Sequence, residues 1–230
     1  MHSKFSALVT GTSSGIGRAI AHDLLSDGYS VHGLDIAGAT IDHPRFIPHV
    51  VDLSDVSAAQ AVAASCTSIG VFVHAAGLLR VARLGALSAS DLELMWKVHV
   101  AAASAIGNCL IPKMTEQQFG RVVLLGSRVS AGIAGRSHYA ATKSALNSLS
   151  RSWAAEVVRA GVTVNVVSPA ATNTGMLTQL GRTAAPPVLP PIGRLIEPQE
   201  ISSLVRYLIG PNAAAITGQN IQICGGSSLT

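Results

Sequence analysis

Tyr139-Ala140-Ala141-Thr142-Lys143 places a phenol and an ammonium four positions apart, which on a helix puts them one turn apart on one face. An unperturbed phenol, with a pKa of about 10, exchanges protons poorly at neutral pH. A neighbouring cation stabilises the phenolate and turns the pair into a usable general acid and base. Upstream, Ser127 follows the apolar run Val122-Val123-Leu124-Leu125-Gly126, where a hydroxyl can hold a substrate oxygen beside the phenol. Ser127 also reads as a turn cap, and Ser130 competes with it. Ser127 is preferred because it is nearer the end of the strand that the apolar run predicts.

A proton donor at an oxygen is half of a redox step on carbon, and the N-terminal region offers the other half. Thr10-Gly11-Thr12-Ser13-Ser14-Gly15-Ile16-Gly17 joins an apolar run to a helical one. Glycines there let the chain bend sharply and let a pyrophosphate approach the amides at the positive end of the helix. The spacing is G-x-x-x-G-x-G, which alone also fits a plain tight turn. Asp35 closes the next strand, where a carboxylate accepts hydrogen bonds from adenosine ribose hydroxyls and repels a 2'-phosphate. Neither Ser14 nor Ile36 offsets that repulsion, so NAD is expected rather than NADP. Asp52, with Leu53 beside it, reads either as a partner for the adenine amine or as a cap for the segment from Ser54.

Positioning these groups requires alternating strands and helices. Short apolar runs, several rich in Val, predict strands at residues 5–10, 30–35, 47–52, 71–75, 121–126, 162–168 and 220–223. Helices are predicted at 16–26, 56–64, 91–114, 139–159 and 198–209, with Ser88 and Asp91 resembling a capping box before the third. The fold class is therefore α/β: a three-layer, Rossmann-type doubly wound parallel sheet of about seven strands with helices on both faces. Residues 36–46 contain Gly38 and Pro44 and no helical period, so that crossover is expected to be a loop. Residues 1–230 read as one NAD-binding domain with a substrate loop at about 175–193, stiffened by the four prolines between 184 and 191.

Composition closes other routes. At 48% hydrophobic and 12% charged, the chain is not disordered. The mean hydropathy of +0.42 is high. Nevertheless, His99, Ser104 and Asn108 interrupt the longest apolar stretch, so no membrane span is expected, and the N-terminal apolar patch is too short for a signal peptide. A cytoplasmic protein follows. The formal charge of +4 comes from scattered basic residues, which argues against nucleic acid as a partner. Cys66, Cys109 and Cys224 are widely spaced, so neither disulfides nor a zinc site is indicated and no metal is expected.

These residues together resemble the short-chain dehydrogenase/reductase family, in its single-domain branch, and the chain is similar to 3-oxoacyl-carrier-protein reductases and related alcohol/ketone oxidoreductases. The resemblance rests on Thr10 to Gly17, Asp35, Asp52-Leu53, His74-Ala75-Ala76-Gly77, Ser127, Tyr139-x-x-x-Lys143, Asn165 to Pro169, Thr174, Thr217-Gly218-Gln219 and Gly225-Gly226. It implies that Tyr139 transfers the proton, Lys143 lowers its pKa and holds the nicotinamide ribose, and Ser127 orients the substrate oxygen. It also implies NAD contacts at Gly11, Ser14, Gly15, Ile16, Gly17, Ala75, Ala76, Gly77, Pro169, Thr172 and Thr174, and assembly into a homotetramer. The implied reaction is interconversion of a secondary alcohol and a ketone on a small molecule. The alternatives are an NAD-binding protein without turnover and a lyase or epimerase on the same scaffold.

Three departures stand out: His74-Ala75 replaces Asn-Asn, Pro169-Ala170 replaces Pro-Gly, and Val98-His99 replaces a Val-Asn pair whose Asn joins a proton relay in the family. His99 is read both ways, as a titrating relay member and as a packed residue. For the substrate, an apolar overhang at 176–192 suggests a moderately hydrophobic molecule, and Arg80, Arg83 and Arg128 suggest a carboxylate or an acidic carrier.

Overall fold

The computed structural model describes residues 5–178 and 188–229. Seven parallel strands form one sheet in the order β3-β2-β1-β4-β5-β6-β7. They are β1 (Ser6–Thr10), β2 (Val31–Asp35), β3 (Phe46–Val50), β4 (Ile69–His74), β5 (Gly120–Leu125), β6 (Val162–Pro169) and β7 (Asn220–Ile223). The order reverses between β1 and β4, so a crevice opens at the carboxyl ends of those two strands. The doubly wound α/β architecture expected from the sequence is the one observed.

Alternation along each strand divides the core in two. Leu8, Leu34, Phe72 and Leu124 face α2 (Val56–Ser65), α4 (Ala102–Glu116) and α5 (Ser137–Val157). Val9, Val31, Val73 and Val123 face α1 (Gly15–Ser26) and α6 (Pro198–Ile209). Strands covered on both faces read as continuous apolar runs, which is why their positions were legible. Truncating one of the fully buried side chains, such as Phe72, is expected to cost about 3–5 kcal/mol.

Two local differences from expectation have physical causes. β3 ends at Val50, short of Asp52, because the Asp52 carboxylate accepts the Ser54 amide at 2.8 Å and turns the chain out of the sheet. Pro48 is tolerated because β3 is the edge strand. The helix expected at 91–114 is α3 (Ala89–Trp96) and α4, joined by a π-helical turn, Lys97–Ala101. Ser88 caps α3 by accepting the Asp91 amide at 3.4 Å, and the Asp91 carboxylate pairs with Arg80 at 3.6 Å. The whole stretch Ala89–Glu116 is long and apolar enough for a bilayer, yet over half of its apolar window is buried inside the fold. Residues 36–45 form no helix, as the sequence implied.

Candidate active site

The cleft at the carboxyl ends of the strands encloses about 1380 Å³, more than the roughly 300–1,000 Å³ of a typical small-ligand pocket. One end is built from backbone. Gly11 has φ +76°, and a Cβ there would lie 2.9 Å from the Ala76 backbone; a Cβ on Gly17 would lie 2.1 Å from the Gly11 carbonyl oxygen. The two glycines thus let β1, β4 and α1 converge. Ser14, the N-cap of α1, makes no side-chain capping bond, and the first turn holds no acidic residue. The positive end of α1 is left for an anion.

Asp35 is fixed by the same turn. Its Oδ2 accepts the Ser13 amide and its Oδ1 accepts the Ala37 amide, both at 2.9 Å. The Thr40 hydroxyl donates to the Ser13 carbonyl at 3.0 Å, folding the helix-free crossover back onto the glycine turn. Each carboxylate oxygen retains a lone pair for a further donor. Asp52 lines the cleft and makes the local turn described above, but the cap of α2 is Asp55, whose Oδ1 accepts the Ala58 amide at 3.0 Å, so Asp52 is not the helix cap that the sequence also allowed.

At the other end the parts are side chains. Ser127 caps a 3-10 turn, its Oγ accepting the Val129 amide at 3.2 Å, which leaves the hydroxyl proton available. Tyr139 stands in the first turn of α5, and Lys143, one turn on, is buried and donates to the Leu125 carbonyl at 2.7 Å. The Lys143 nitrogen is 5.9 Å from the centre of the Tyr139 ring. Burial pushes the pKa of Lys143 down to about 7.

Two histidines brace this end from behind. The Leu78 amide donates to His99 Nε2 at 3.0 Å, so the ring proton is assigned to Nδ1, which donates to the Thr142 hydroxyl at 2.9 Å; that hydroxyl donates to the Tyr139 carbonyl, also at 2.9 Å. His74 Nε2 donates to the Val98 carbonyl at 3.1 Å while its Nδ1 accepts from the Thr10 hydroxyl at 3.1 Å. The Thr10 oxygen in turn accepts the Ala75 and Ala76 amides. Burial, reinforced by the Lys143 charge, holds His74 down to about 3 and His99 well below its ordinary value. Both rings are neutral at pH 7.

Ser127, Tyr139, Lys143 and every expected NAD contact line the cleft, whereas Ser130, the rival to Ser127, does not, and His99 stands behind the wall, fully buried. Of the other residues that carry the family resemblance, Asn165 and Thr217 are structural: Thr217 Oγ1 accepts the Val164 amide, and Asn165 bonds to Ile216 and Gln219. Arg83 and Arg128 line the cleft, the Arg128 guanidinium donating through Nε and Nη2 to the Ser227 carbonyl, and Arg80 is paired with Asp91. Arg136, not singled out from the sequence, also lines it; its place three residues before Tyr139, at the N-cap of α5, was the available signal. Of the expected substrate loop, Met176, Leu177, Val188 and Pro191 line the cleft; residues 179–187, with Arg182, lie outside the described residues.

A parallel sheet with an anion-ready glycine turn at one end of its crevice and a serine, tyrosine and lysine at the other defines a nicotinamide-dependent oxidoreductase. Comparison with known proteins agrees. The family profile described as Enoyl-(Acyl carrier protein) reductase matches residues 11–228. A 3-oxoacyl-(acyl-carrier-protein) reductase of Vibrio harveyi is 32% identical over 233 residues, covering 96% of each chain. A 2,3-dihydro-2,3-dihydroxybenzoate dehydrogenase of Escherichia coli is 32% identical over 238 residues, again 96% of each. A (2S)-((R)-hydroxy(phenyl)methyl)succinyl-CoA dehydrogenase subunit of Thauera aromatica is 30% identical, over 97% of this chain and 96% of its own. A solved short chain dehydrogenase/reductase family protein superposes with a TM-score of 0.88 at 29% identity over the full length of both chains. The chain belongs to the short-chain dehydrogenase/reductase family.

Proposed function

We propose that this protein interconverts a secondary alcohol and a ketone with NAD(H), Tyr139 carrying the proton. The observation that supports the reaction is the convergence of Ser127, Tyr139 and Lys143 in the cleft whose far end carries the uncapped, carboxylate-free start of α1. The dinucleotide fits by its chemistry: Gly15, Ile16 and Gly17 at the helix start suit the pyrophosphate, Asp35 the adenosine ribose, and Ala75, Ala76, Gly77, Pro169, Thr172 and Thr174 line the path to the catalytic residues. Bound nicotinamide supplies or accepts the hydride at the substrate carbon.

The chain handles the oxygen and its proton. Ser127 Oγ, already accepting from Val129, donates to the substrate oxygen and fixes it beside the phenol. In reduction the Tyr139 hydroxyl gives its proton to that oxygen as negative charge develops; in oxidation the phenolate takes it back. Lys143, tuned by burial to about 7, takes up a proton near neutrality and stabilises the phenolate when charged. His99, with both nitrogens engaged, acts as a positioning residue: through Thr142 it sets the turn that presents Tyr139.

NAD is favoured because Asp35, which lines the cleft, would accept from the ribose hydroxyls and would repel a 2'-phosphate, and neither Ser14 nor Ile36 brings a cation to offset that repulsion. For the substrate, Ile133, Met176, Leu177 and Val188 suit an apolar body, and Arg83, Arg128 and Arg136 suit an anionic group. The names of the relatives, with carrier-protein, CoA and benzoate groups, accord with an anion-bearing substrate. Purified protein incubated with NAD and a panel of secondary alcohols, with and without a carboxylate, should produce reduced-nicotinamide absorbance, fastest on the carboxylated members. Binding without turnover, or product formation without a net nicotinamide change, would support the non-catalytic or the lyase and epimerase readings instead. A homotetramer in light scattering completes the proposal; a monomer mass at micromolar concentration contradicts it.

A further inference from the structure

At the β3 edge of the sheet, three side chains that take no part in the chemistry above meet: His32 of β2, His49 of β3 and Cys66, which closes α2. They are evenly spaced along the sequence but share no metal-binding motif, so register rather than local spacing assembles them. β2 and β3 pair in parallel with His32 opposite Ile47 and Leu34 opposite His49, which puts both rings on the face that α2 covers. The rings meet edge to edge, their planes 16° apart and their centres 5.4 Å apart, and both are only partly buried, so an ion can enter from solvent.

Two observations point to a ligand between them. The first is geometric. His32 Nδ1 lies 3.1 Å from His49 Nε2 and 3.4 Å from Cys66 Sγ, and the three donor atoms all lie within 4.8 Å of one another. A tetrahedral zinc ion with ordinary bond lengths separates two nitrogens by about 3.3 Å and a nitrogen from a sulfur by about 3.6 Å. The second is hydrogen-bond accounting. His32 Nδ1 faces two partners at once, with either one proton or one lone pair to offer. Cys66 already has the Val62 carbonyl, at 3.2 Å, to donate to, which turns sulfur lone pairs toward the rings. A cation satisfies all three donors together. His74 and His99, by contrast, each have partners of complementary polarity at both nitrogens.

We propose that His32, His49 and Cys66 bind one zinc ion, with water as the fourth ligand. Binding releases the thiol proton, Cys66–SH and Zn²⁺ giving Cys66–S⁻–Zn²⁺ and H⁺. The site is structural. It ties β2 and β3 to the end of α2 at the edge where the crossover 36–45 has no helix, and His32 lies on the strand that ends in Asp35.

The test is zinc binding by the full-length chain after chelator treatment and gel filtration, measured by competition with a chromophoric chelator. One equivalent is expected, with affinity at least tenfold weaker in His49→Gln and in Cys66→Ser, and unchanged in His22→Gln, a solvent-exposed histidine elsewhere. Cobalt in place of zinc should give a thiolate charge-transfer band that Cys66→Ser abolishes. Zinc should raise the melting temperature of the parent chain and leave that of Cys66→Ser unmoved. Absence of binding by the parent chain, equal affinity in the parent, His49→Gln and Cys66→Ser, or cobalt binding without the thiolate band overturns the proposal. None of these readouts depends on oxidoreductase activity.

Discussion

The two ends of the cleft solve the same problem with different materials. At the dinucleotide end, shape comes from main chain: Gly11 and Gly17 permit contacts that a Cβ would occupy, and Asp35 is held by two amides. At the proton-transfer end, shape comes from buried polar side chains, with Thr10 bonded to His74 and His99 bonded to Thr142 behind Tyr139 and Lys143. A backbone-built site tolerates changes in its surroundings but not at its glycines. A site built from side chains in low dielectric concentrates its sensitivity in the reacting groups, because there each charge and proton is amplified.

The largest expected effect lies at the reacting end. Tyr139→Phe keeps the ring and removes the hydroxyl, so turnover should fall by about 10²-fold or more while NAD affinity changes little, measured by steady-state rates and calorimetry. Full activity in that variant removes the basis for contrasting the two ends. At the backbone end the equivalent injury is Gly17→Ala. The new Cβ would sit 2.1 Å from the Gly11 oxygen, so α1 must shift. Loss of measurable NAD binding is expected, with destabilisation of about 3 kcal/mol in denaturant unfolding.

This division also explains what the sequence disclosed. Glycine spacing, strand-ending Asp35 and the four-residue step from Tyr139 to Lys143 are local patterns, and each lines the cleft at the place its spacing implied. The strands were legible because continuous burial leaves uninterrupted Val and Leu, though Asp52 diverted β3 early. What was hidden depends on pairing across the sheet. His74 reads as an odd residue in the sequence and is a bridge between β1 and the π-turn in the fold. The meeting of His32, His49 and Cys66 needs the register of β2 on β3 and has no one-dimensional signature. Arg136 went unnoticed because a helix N-cap position is rarely arginine.

Lys143 sharpens the comparison through pH. Its folded pKa of about 7 lies below the ordinary lysine value of 10.5. Between those values the unfolded chain holds a proton that the folded chain has released, so stability from this group rises with pH above about 7 and is least below it. Lys143→Met should therefore melt closer to, or above, the parent at pH 6 and fall behind it as pH rises toward 10. A difference in melting temperature that is flat with pH contradicts the buried, deprotonating lysine.

A smaller change is expected at Asp35. NAD(H) should bind at least tenfold more tightly than NADP(H), about 1.4 kcal/mol, by calorimetry. Asp35→Ser should narrow that ratio mainly by weakening NAD, since on the proposed reading the serine hydroxyl would replace a charged acceptor for the ribose hydroxyls. Equal affinities in the parent protein would show that the carboxylate does not set the preference.

The smallest effect on turnover belongs to His99, and it is the most informative about the buried side-chain network. Its ring passes no proton in the arrangement observed: Nε2 accepts from Leu78, Nδ1 donates to Thr142, and burial holds its pKa well below the ordinary histidine value. An asparagine carries one acceptor and one donor at a similar separation, so His99→Asn should retain turnover within about tenfold and leave the pH profile in place. His99→Leu keeps volume but orphans the Leu78 amide and removes the donor to the Thr142 hydroxyl oxygen, so it should lose about 1–3 kcal/mol of stability and slow turnover through a misplaced Tyr139. A pH profile that moves in His99→Asn would instead make the imidazole a titrating member of a relay. The same shift would reverse the contrast drawn here, because the wall behind Tyr139 would then be chemistry rather than support.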